Sequence, residues 1–461
     1  MDTLPVELIV DCVKLLKNFH KHKLYHACTG ISIMNKFSLL QIIVKSPIFN
    51  ANKMLCRPVC IDRLKHYRET TKMKALDCEK MEYNFDNIIH PRLRYLQCHV
   101  INVDDMNTIF PHLQILKIRY FMENLPVSLL KLYIDDVAVY CDFSNLINLT
   151  TLIIDGYSTN VECSYPSNLR KMVINDMKCE TMIVPENLVS LTIRGLNEIG
   201  IFGIRHHPNS LKKLKIVHMT MNKIRKNNFS KCRLEKLELF AYHNDQMRNC
   251  PQTLKYFTGN HPKFALPLGI ETLVIANLDD FRLNHICEKY IALKSLTVRY
   301  TMQDIQLLPI TLIHLRIDVF YGSLLSLPKS LKSLYIFCHN TSSNIVKNEC
   351  QLTHIYLIVK CNITDYGILN MDSLKVIIYH GKYDPMITFS KNTEYLKYFF
   401  TSPDHFNITK VNLPKLKRLV IKNKNINLSQ MTFPRSLVYI RVHVNLIKDV
   451  PKWIKYVAFI N

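Results

Sequence analysis

The sequence predicts an α+β repeat fold: a solenoid of short parallel strands with an irregular convex side, led by a small helical module. Three observations predict it. A short apolar phrase recurs through most of the chain at a nearly constant interval. Proline stands at the same place ahead of many of its copies. The first 45 residues carry apolar side chains at helical spacing instead.

The phrase is L-x-x-L-x-[ILV], as in SLPKSLKSLYI from Ser326 to Ile336. It returns as PNSLKKLKI from Pro208, PENLVSLTI from Pro185, PSNLRKMVI from Pro166, PITLIHLRI from Pro309 and PRSLVYIRV from Pro434. Its copies start at Leu93, Leu113, Leu129, Leu149, Leu169, Leu188, Leu211, Leu234, Leu254, Ile270, Leu293, Leu312, Leu331, Leu352, Leu374, Leu396, Leu416 and Leu437. The mean spacing over these eighteen units is about 20 residues. Met73-Leu76-Cys78 reads as a degraded unit in front and Ile454-Val457-Phe459 as a closing one.

Side chains alternate between faces along a strand, so offsets +3 and +5 point the same way and offset 0 turns in beside them. One unit cannot hide that side, but stacked neighbours bury a continuous core. Proline at offset −3, as at Pro126, Pro251 and Pro328, fixes φ and cannot continue a preceding helix or ladder. It therefore punctuates each coil. The weak unit Leu254-Phe257-Gly259 marks a place where the array could break.

The period is that of leucine-rich repeats, and the P-x-S-L-x-x-L-x-[IL] rungs resemble FNIP-type and related repeats of giant-virus and amoebal proteins. Phe406-Asn407-Ile408 keeps a fragment of the naming motif. The Asn that such repeats carry at offset +8 is nearly absent: Asn445 fits, whereas Leu196, Met219, Leu278 and His339 stand there elsewhere. Short polar returns such as Thr341 to Cys350 predict irregular or 3₁₀ convex sides.

The N-terminal module spans 1–45. In LPVELIVDCVKLL, Leu4, Leu8, Cys12 and Leu15 form one helical stripe, with Pro5 suited to the first turn and Glu7 to the positive helix end. Leu4-Pro5-x-Glu7-Leu8, followed by KLYHACTGISIMNKFSLLQIIV, resembles an F-box, without its usual Trp. That resemblance implies docking on a Skp-type adaptor of a cullin ubiquitin ligase through Leu4, Pro5, Leu8 and Ile9. The same helices could instead be a terminal cap, which solenoids need. Residues 46–90 read as linker and N-terminal capping unit, and 91–461 as the solenoid.

Net charge is +23, with 60 Lys and Arg against 37 Asp and Glu. An AT-biased genome or an anionic partner each accounts for it. Fifteen cysteines, odd in number and without framework spacing, read as reduced core residues, Cys98 among them. No apolar run has bilayer length, and the start lacks a signal-peptide pattern, so the expectation is an intracellular, cytoplasmic protein with no membrane partner, in host cytoplasm if viral.

Offsets +2, +4 and +6 face away from the core, onto the concave strand face. They give Arg316 and Asp318; Tyr335 and Phe337; Tyr356; Tyr398, Phe400 and Ser402; Arg418, Val420 and Lys422; Tyr439, Arg441 and His443. Earlier rungs add Lys171, Lys213, Lys215 and Lys236. Tyr and Arg are enriched at binding hot spots, so Arg316, Tyr335, Phe337, Tyr356, Arg418, Lys422, Tyr439 and Arg441 are the candidate partner-binding residues. Their charge favours an acidic protein.

Nucleotide, zinc-protease and serine-hydrolase motifs are absent, which predicts no enzyme, cofactor or metal. The leading expectation is the substrate-recognition subunit of a cullin-type ligase. The alternatives are a plain interaction scaffold and a basic nucleic-acid-binding surface.

Overall fold

A computed structural model describes residues 75–84, 89–102, 105–121, 123–136, 141–156, 163–176, 181–196, 201–206, 208–219, 223–224, 232–241, 250–259, 265–277, 290–302, 304–305, 307–338, 350–359, 367–381, 387–400, 413–422, 428 and 432–460. The helical module expected at 1–45, with Leu4, Pro5, Leu8 and Ile9, lies outside the described residues.

The first strands are β1 (Ala75–Asn84), β2 (Tyr95–Asn102), β3 (Ile115–Tyr120), β4 (Lys131–Asp136), β5 (Thr151–Ile154), β6 (Lys171–Ile174), β7 (Thr181–Ile183) and β8 (Ser190–Leu196). Next come β9 (Ile201–His206), β10 (Lys213–Met219), β11 (Lys223–Ile224), β12 (Lys236–Ala241), β13 (Tyr256–Gly259), β14 (Thr272–Asn277), β15 (Ser295–Tyr300) and β16 (His314–Phe320). The last are β17 (Ser333–Cys338), β18 (His354–Val359), β19 (Val376–Gly381), β20 (Tyr395–Phe400), β21 (Arg418–Ile421), β22 (Tyr439–His443) and β23 (Tyr456–Ile460).

All but β7, β9 and β11 join one 20-stranded sheet in which successive rungs pair in parallel. The +3 residues stack without slippage. Leu76 pairs with Leu96, Leu96 with Leu116, and the row continues to Leu419, Ile440 and Val457. Offsets 0, +3 and +5 form the core, for example Leu331, Leu334 and Ile336, each at most 1% exposed. The degraded leading unit supplies β1 and the closing unit supplies β23, both in register.

The ladder does not break at Leu254-Phe257-Gly259, because β13 pairs on both sides. A Cβ on Gly259 would lie 2.7 Å from the Phe257 ring, so the large +3 ring occupies the space a +5 side chain fills elsewhere.

Each coil is closed by a tight turn. The Leu331 N–H donates to the Pro328 carbonyl at 3.0 Å, and Leu129, Leu169, Leu188, Leu211 and Leu437 repeat that bond to their prolines. The small polar residue just before offset 0 then ties the coil to its predecessor. Ser330 Oγ lies 2.6 Å from the Ile310 carbonyl oxygen and 2.7 Å from that of Leu312. Ser128, Thr253, Thr311, Ser373 and Ser436 reach equivalent carbonyls. Asn148, Asn168, Asn187 and Asn392 do the same through their amides. On these rungs the offset −1 side chain thus satisfies carbonyls at the turn of the preceding coil; Gly269 and Ala292, at the same offset, have no group to do so. This is the structural use of the S in P-x-S-L.

The α component of the expected fold class is small here. Among the described residues, helix is confined to α1 (Met106–Ile109) and two 3₁₀ segments, Gly367–Asn370 and Val444–Asp449. The returns are also less irregular than expected around 181–224, where β7, β9 and β11 form a second parallel ladder. Asp105, half of an acidic pair in a return, is the N-cap of α1 and accepts from the Asn107 and Thr108 N–H groups.

One register expectation is overturned. The unit aligned on Leu396 starts three residues earlier, at Thr393. Leu396 pairs with Ile377 and Leu419, which are +3 residues, and Thr393 donates to Ser390 as the rung leucines do to their prolines. Tyr398 is therefore a +5 residue, fully buried, and not part of the exposed face. The residues of β20 at +2, +4 and +6 are Tyr395, Lys397 and Phe399.

Candidate functional site

The candidate site is built from the outward offsets of β16 to β22. Strand alternation exposes these side chains while the leucines hold the backbone beneath them. Parallel pairing at zero shift then lines up equal offsets across rungs. Along +4 the row reads Arg316, Tyr335, Tyr356, Ile378, Lys397, Val420 and Arg441.

At its N-terminal end this row is a stack. The Arg316 guanidinium sits over the Tyr335 ring at 4.3 Å, and Tyr335 stacks on Tyr356 with centroids 4.4 Å apart and planes 19° from parallel. Arg316 is also tied to Asp318 at 2.6 Å, so its charge is already answered. Burial pushes the Tyr335 hydroxyl above its ordinary pKa, with Tyr356 adding to the rise. Phe337, two residues along β17, is half-buried at +6.

At its C-terminal end the row crosses a cluster of cations. Arg418, Val420 and Lys422 follow one another at alternate positions of β21 and just beyond it. Lys397 and Arg441 pair beside Val420 from the two neighbouring strands, and Tyr395 and Tyr439 pair beside Arg418. Val420 is short and only 6% exposed, whereas the four cations around it are long. The result is a cavity of about 420 Å³ lined by Tyr395, Lys397, Arg418, Val420, Lys422, Tyr439 and Arg441. Four of the sequence-predicted residues, Arg418, Lys422, Tyr439 and Arg441, converge there. Arg316, Tyr335, Phe337 and Tyr356 do not line it. His443 is buried at 7% exposure rather than facing outward.

Sequence reasoning missed Tyr395 and Lys397, because Thr393 breaks the leucine consensus and Leu396 was aligned in its place. Asn392 carried the signal that would have found them, since it occupies the offset −1 place of Asn148, Asn168 and Asn187.

The cluster has no carboxylate to answer it: among the described residues, none of its four cations is in an ion pair with Asp or Glu. Burial and the nearby Lys422 and Arg441 charges hold the Lys397 amine below its ordinary pKa. Burial, Lys422 and Lys397 push the imidazole of His380 down as well. Earlier rungs differ. Lys215 and Lys236 both bind Glu238, at 2.6 and 2.8 Å. Burial raises the Glu238 carboxyl, but hydrogen bonds from Lys215 and Lys236 outweigh it and hold the group below its usual range. At offset +1 of those rungs, Lys212 meets Glu235, and Lys255 and Lys294 share Glu271; in the cluster's own rungs Lys417 meets Glu394 at the same offset, beside the outward row and not in it. The basic residues of the chain are thus not equivalent.

Among the described residues, no group of three or more His, Cys, Asp or Glu could hold a metal ion, and no helix is long and apolar enough to cross a membrane.

No protein-family model matches the chain, and no curated protein matches it. Among solved structures it is similar to CroV588, a circular leucine-rich-repeat protein, with TM-score 0.52 and 16% identity. That match covers 76% of this chain and 59% of the other, so this chain spans little more than half its length. Looser similarities are to YopM from Yersinia enterocolitica (TM-score 0.41, 14% identity, 80% of this chain and 91% of that one) and to an internalin from Listeria monocytogenes (0.29, 13%, 72% and 81%). The stacked coils and the first of these likenesses give the same fold, a parallel β-solenoid of the leucine-rich-repeat type.

Proposed function

We propose that this chain is a non-catalytic interaction scaffold that captures an acidic segment of a partner protein on the outward face of β16 to β22. The observation that carries the reading is the contrast in pairing. Lys212, Lys215, Lys236, Lys255 and Lys294 on the earlier rungs are paired with Glu235, Glu238 or Glu271, whereas among the described residues none of the four cations clustered around Val420 has such a partner. Cations held together repel one another, and an acidic ligand relieves that repulsion while an uncharged one does not. The adjoining Tyr335–Tyr356 stack supplies flat apolar area at small entropic cost.

A random peptide-display selection against the full chain tests this. Selected peptides should be acidic and should lose at least tenfold in affinity for the Arg418→Glu/Arg441→Glu variant. Neutral consensus peptides, or equal binding to the variant, would refute it. If single-stranded DNA binds instead, with affinity falling linearly in log–log against salt, the surface serves nucleic acid.

A second reading extends the first, and the Leu4-Pro5-x-Glu7-Leu8 motif favours it. In this reading residues 1–45 dock a Skp-type adaptor of a cullin ligase in the cytoplasm, and the captured protein is held for ubiquitin transfer. Its chemistry is positioning alone. Purified adaptor should bind the full chain, and Leu8→Lys should abolish that binding without changing peptide capture. No binding by the unmodified chain would remove the ligase role and leave the scaffold.

A further inference from the structure

We propose that the cavity over Val420 receives a phosphorylated side chain of the partner protein. This inference rests on the reading of the strand face as an acidic-protein surface and names the group that anchors it.

The arrangement is a cross. Along β21 and just beyond its end, Arg418 and Lys422 lie two residues to either side of Val420, roughly 7 Å away in backbone distance. Across the ladder, Lys397 and Arg441 lie one strand to either side, about 4.8 Å away. Four cations therefore surround one point, and the side chain at that point is too short to fill the space they enclose. Tyr395 and Tyr439 flank Arg418 and add two hydroxyl groups at the rim.

The charge and geometry suit a phosphoryl group better than a carboxylate. A phosphorylated side chain carries about −1.5 to −2 charge and three strong acceptor oxygens, whereas a carboxylate carries one charge and two oxygens. Two of the four cations are arginines, whose planar forks bind phosphate oxygens in pairs. The cavity, at about 420 Å³, has room for a phosphorylated side chain with its stem.

The cluster is also bounded. On one side β19 presents Val376, Ile378 and His380, with His380 held toward its neutral form by burial and the lysines. On the other side β23 presents Tyr456 and Ala458. A polynucleotide binds through a continuous track of basic residues that contacts successive phosphates. Here the track stops after three strands, which fits one anionic group.

The neighbouring surface adds a spacing rule. Tyr356 on β18 lies three strand steps from Val420, roughly 14 Å. An extended chain covers that distance in about four residues. A partner segment crossing the strands should therefore place an aromatic or aliphatic residue about four positions from the phosphorylated one.

The test uses the full chain and three probes: a degenerate 12-residue library with a fixed central phosphoserine, phosphothreonine or phosphotyrosine, the same library with glutamate at that place, and a 20-nucleotide single-stranded DNA. Affinities are read by fluorescence anisotropy against Arg418→Ala/Arg441→Ala and, independently, Val420→Glu, which puts a carboxylate inside the cross. Circular dichroism confirms that each variant retains its strands. The proposal expects phosphorylated peptides to bind at least tenfold tighter than their glutamate counterparts. It also expects both variants to erase that preference, and enriched sequences to be apolar four positions away. Glutamate peptides binding as tightly would overturn the phosphoryl site and leave the acidic-partner reading standing. Phosphopeptide binding that survives both variants would overturn the site at Val420. Binding of DNA alone, or of no probe, would overturn both readings.

Discussion

Replacing the offset −1 hydroxyls tests whether the coils are stitched together by these side chains or only by strands and leucines. Ser330 Oγ lies 2.6 and 2.7 Å from two carbonyl oxygens of the preceding coil, Thr253 Oγ1 2.8 Å from one, and Ser436 Oγ 2.8 and 2.9 Å from two. A hydroxyl has one proton, so each site is worth one net hydrogen bond, about 1 kcal/mol. The three sites lie on separate rungs and should add, giving about 3 kcal/mol for Thr253→Val/Ser330→Ala/Ser436→Ala. Against a typical stability of roughly 5–15 kcal/mol, that loss is easily read. Urea unfolding followed by circular dichroism measures it. Hydrogen exchange over 326–338 localises the part due to Ser330, which matters because long repeat arrays need not unfold in one step. Ser330→Asn should retain most of the stability, since Asn148, Asn168, Asn187 and Asn392 already do this work. A triple variant within about 0.5 kcal/mol of the parent would refute the reasoning, as would a Ser330→Asn loss equal to that of Ser330→Ala.

Other outcomes follow from the same geometry. Leu334→Ala, at a +3 site only 1% exposed, should cost about 2–5 kcal/mol in urea unfolding through the cavity it leaves. Burial pushes the thiols of Cys141 and Cys250 up to about 12 and that of Cys232 to about 11, so iodoacetamide at pH 8 should label these sites only after denaturation, as read by mass spectrometry. The His380 imidazole is held below its ordinary pKa, so the unfolded chain takes up that proton first as pH falls. Its contribution to stability is therefore full above about 6.5 and is lost as pH falls through the folded value; an NMR titration should show the depressed midpoint, and a bound anion should raise it. Glu238→Gln should release Lys215 and Lys236 and create a second site for acidic peptides, measurable by anisotropy as added binding that Arg418→Ala/Arg441→Ala does not remove.

Much of the ladder was legible because a period of about 20 residues repeats through most of the chain, and even the degraded ends at Leu76 and Val457 fall in register. The rung at Thr393 was misread because a leucine template cannot see a threonine that fills the same buried place while bonding to Ser390. That single slip hid Tyr395 and Lys397 and put buried Tyr398 on the wrong face. The apparent weakness at Gly259 dissolves once Phe257 is seen to fill its volume. Pairing was harder to read. Glu238 lies 23 residues from Lys215, and only stacking one coil on the next brings them to 2.6 Å. Without that contact, Lys215 and Lys236 look no different from the cations around Val420.

The central claim is that this site, out of all the positive charge on the chain, is where an acidic partner sits. Zero-length carbodiimide cross-linking measures that directly, because it joins a lysine amine only to a carboxylate in contact with it. With an acidic peptide from the display selection at low saturation and moderate salt, mass spectrometry should find the cross-links concentrated on Lys397 and Lys422. They should disappear in Arg418→Ala/Arg441→Ala. Cross-links spread over Lys171, Lys213 and the other exposed lysines would contradict it, and would make the charge a general property of the chain with no preferred site.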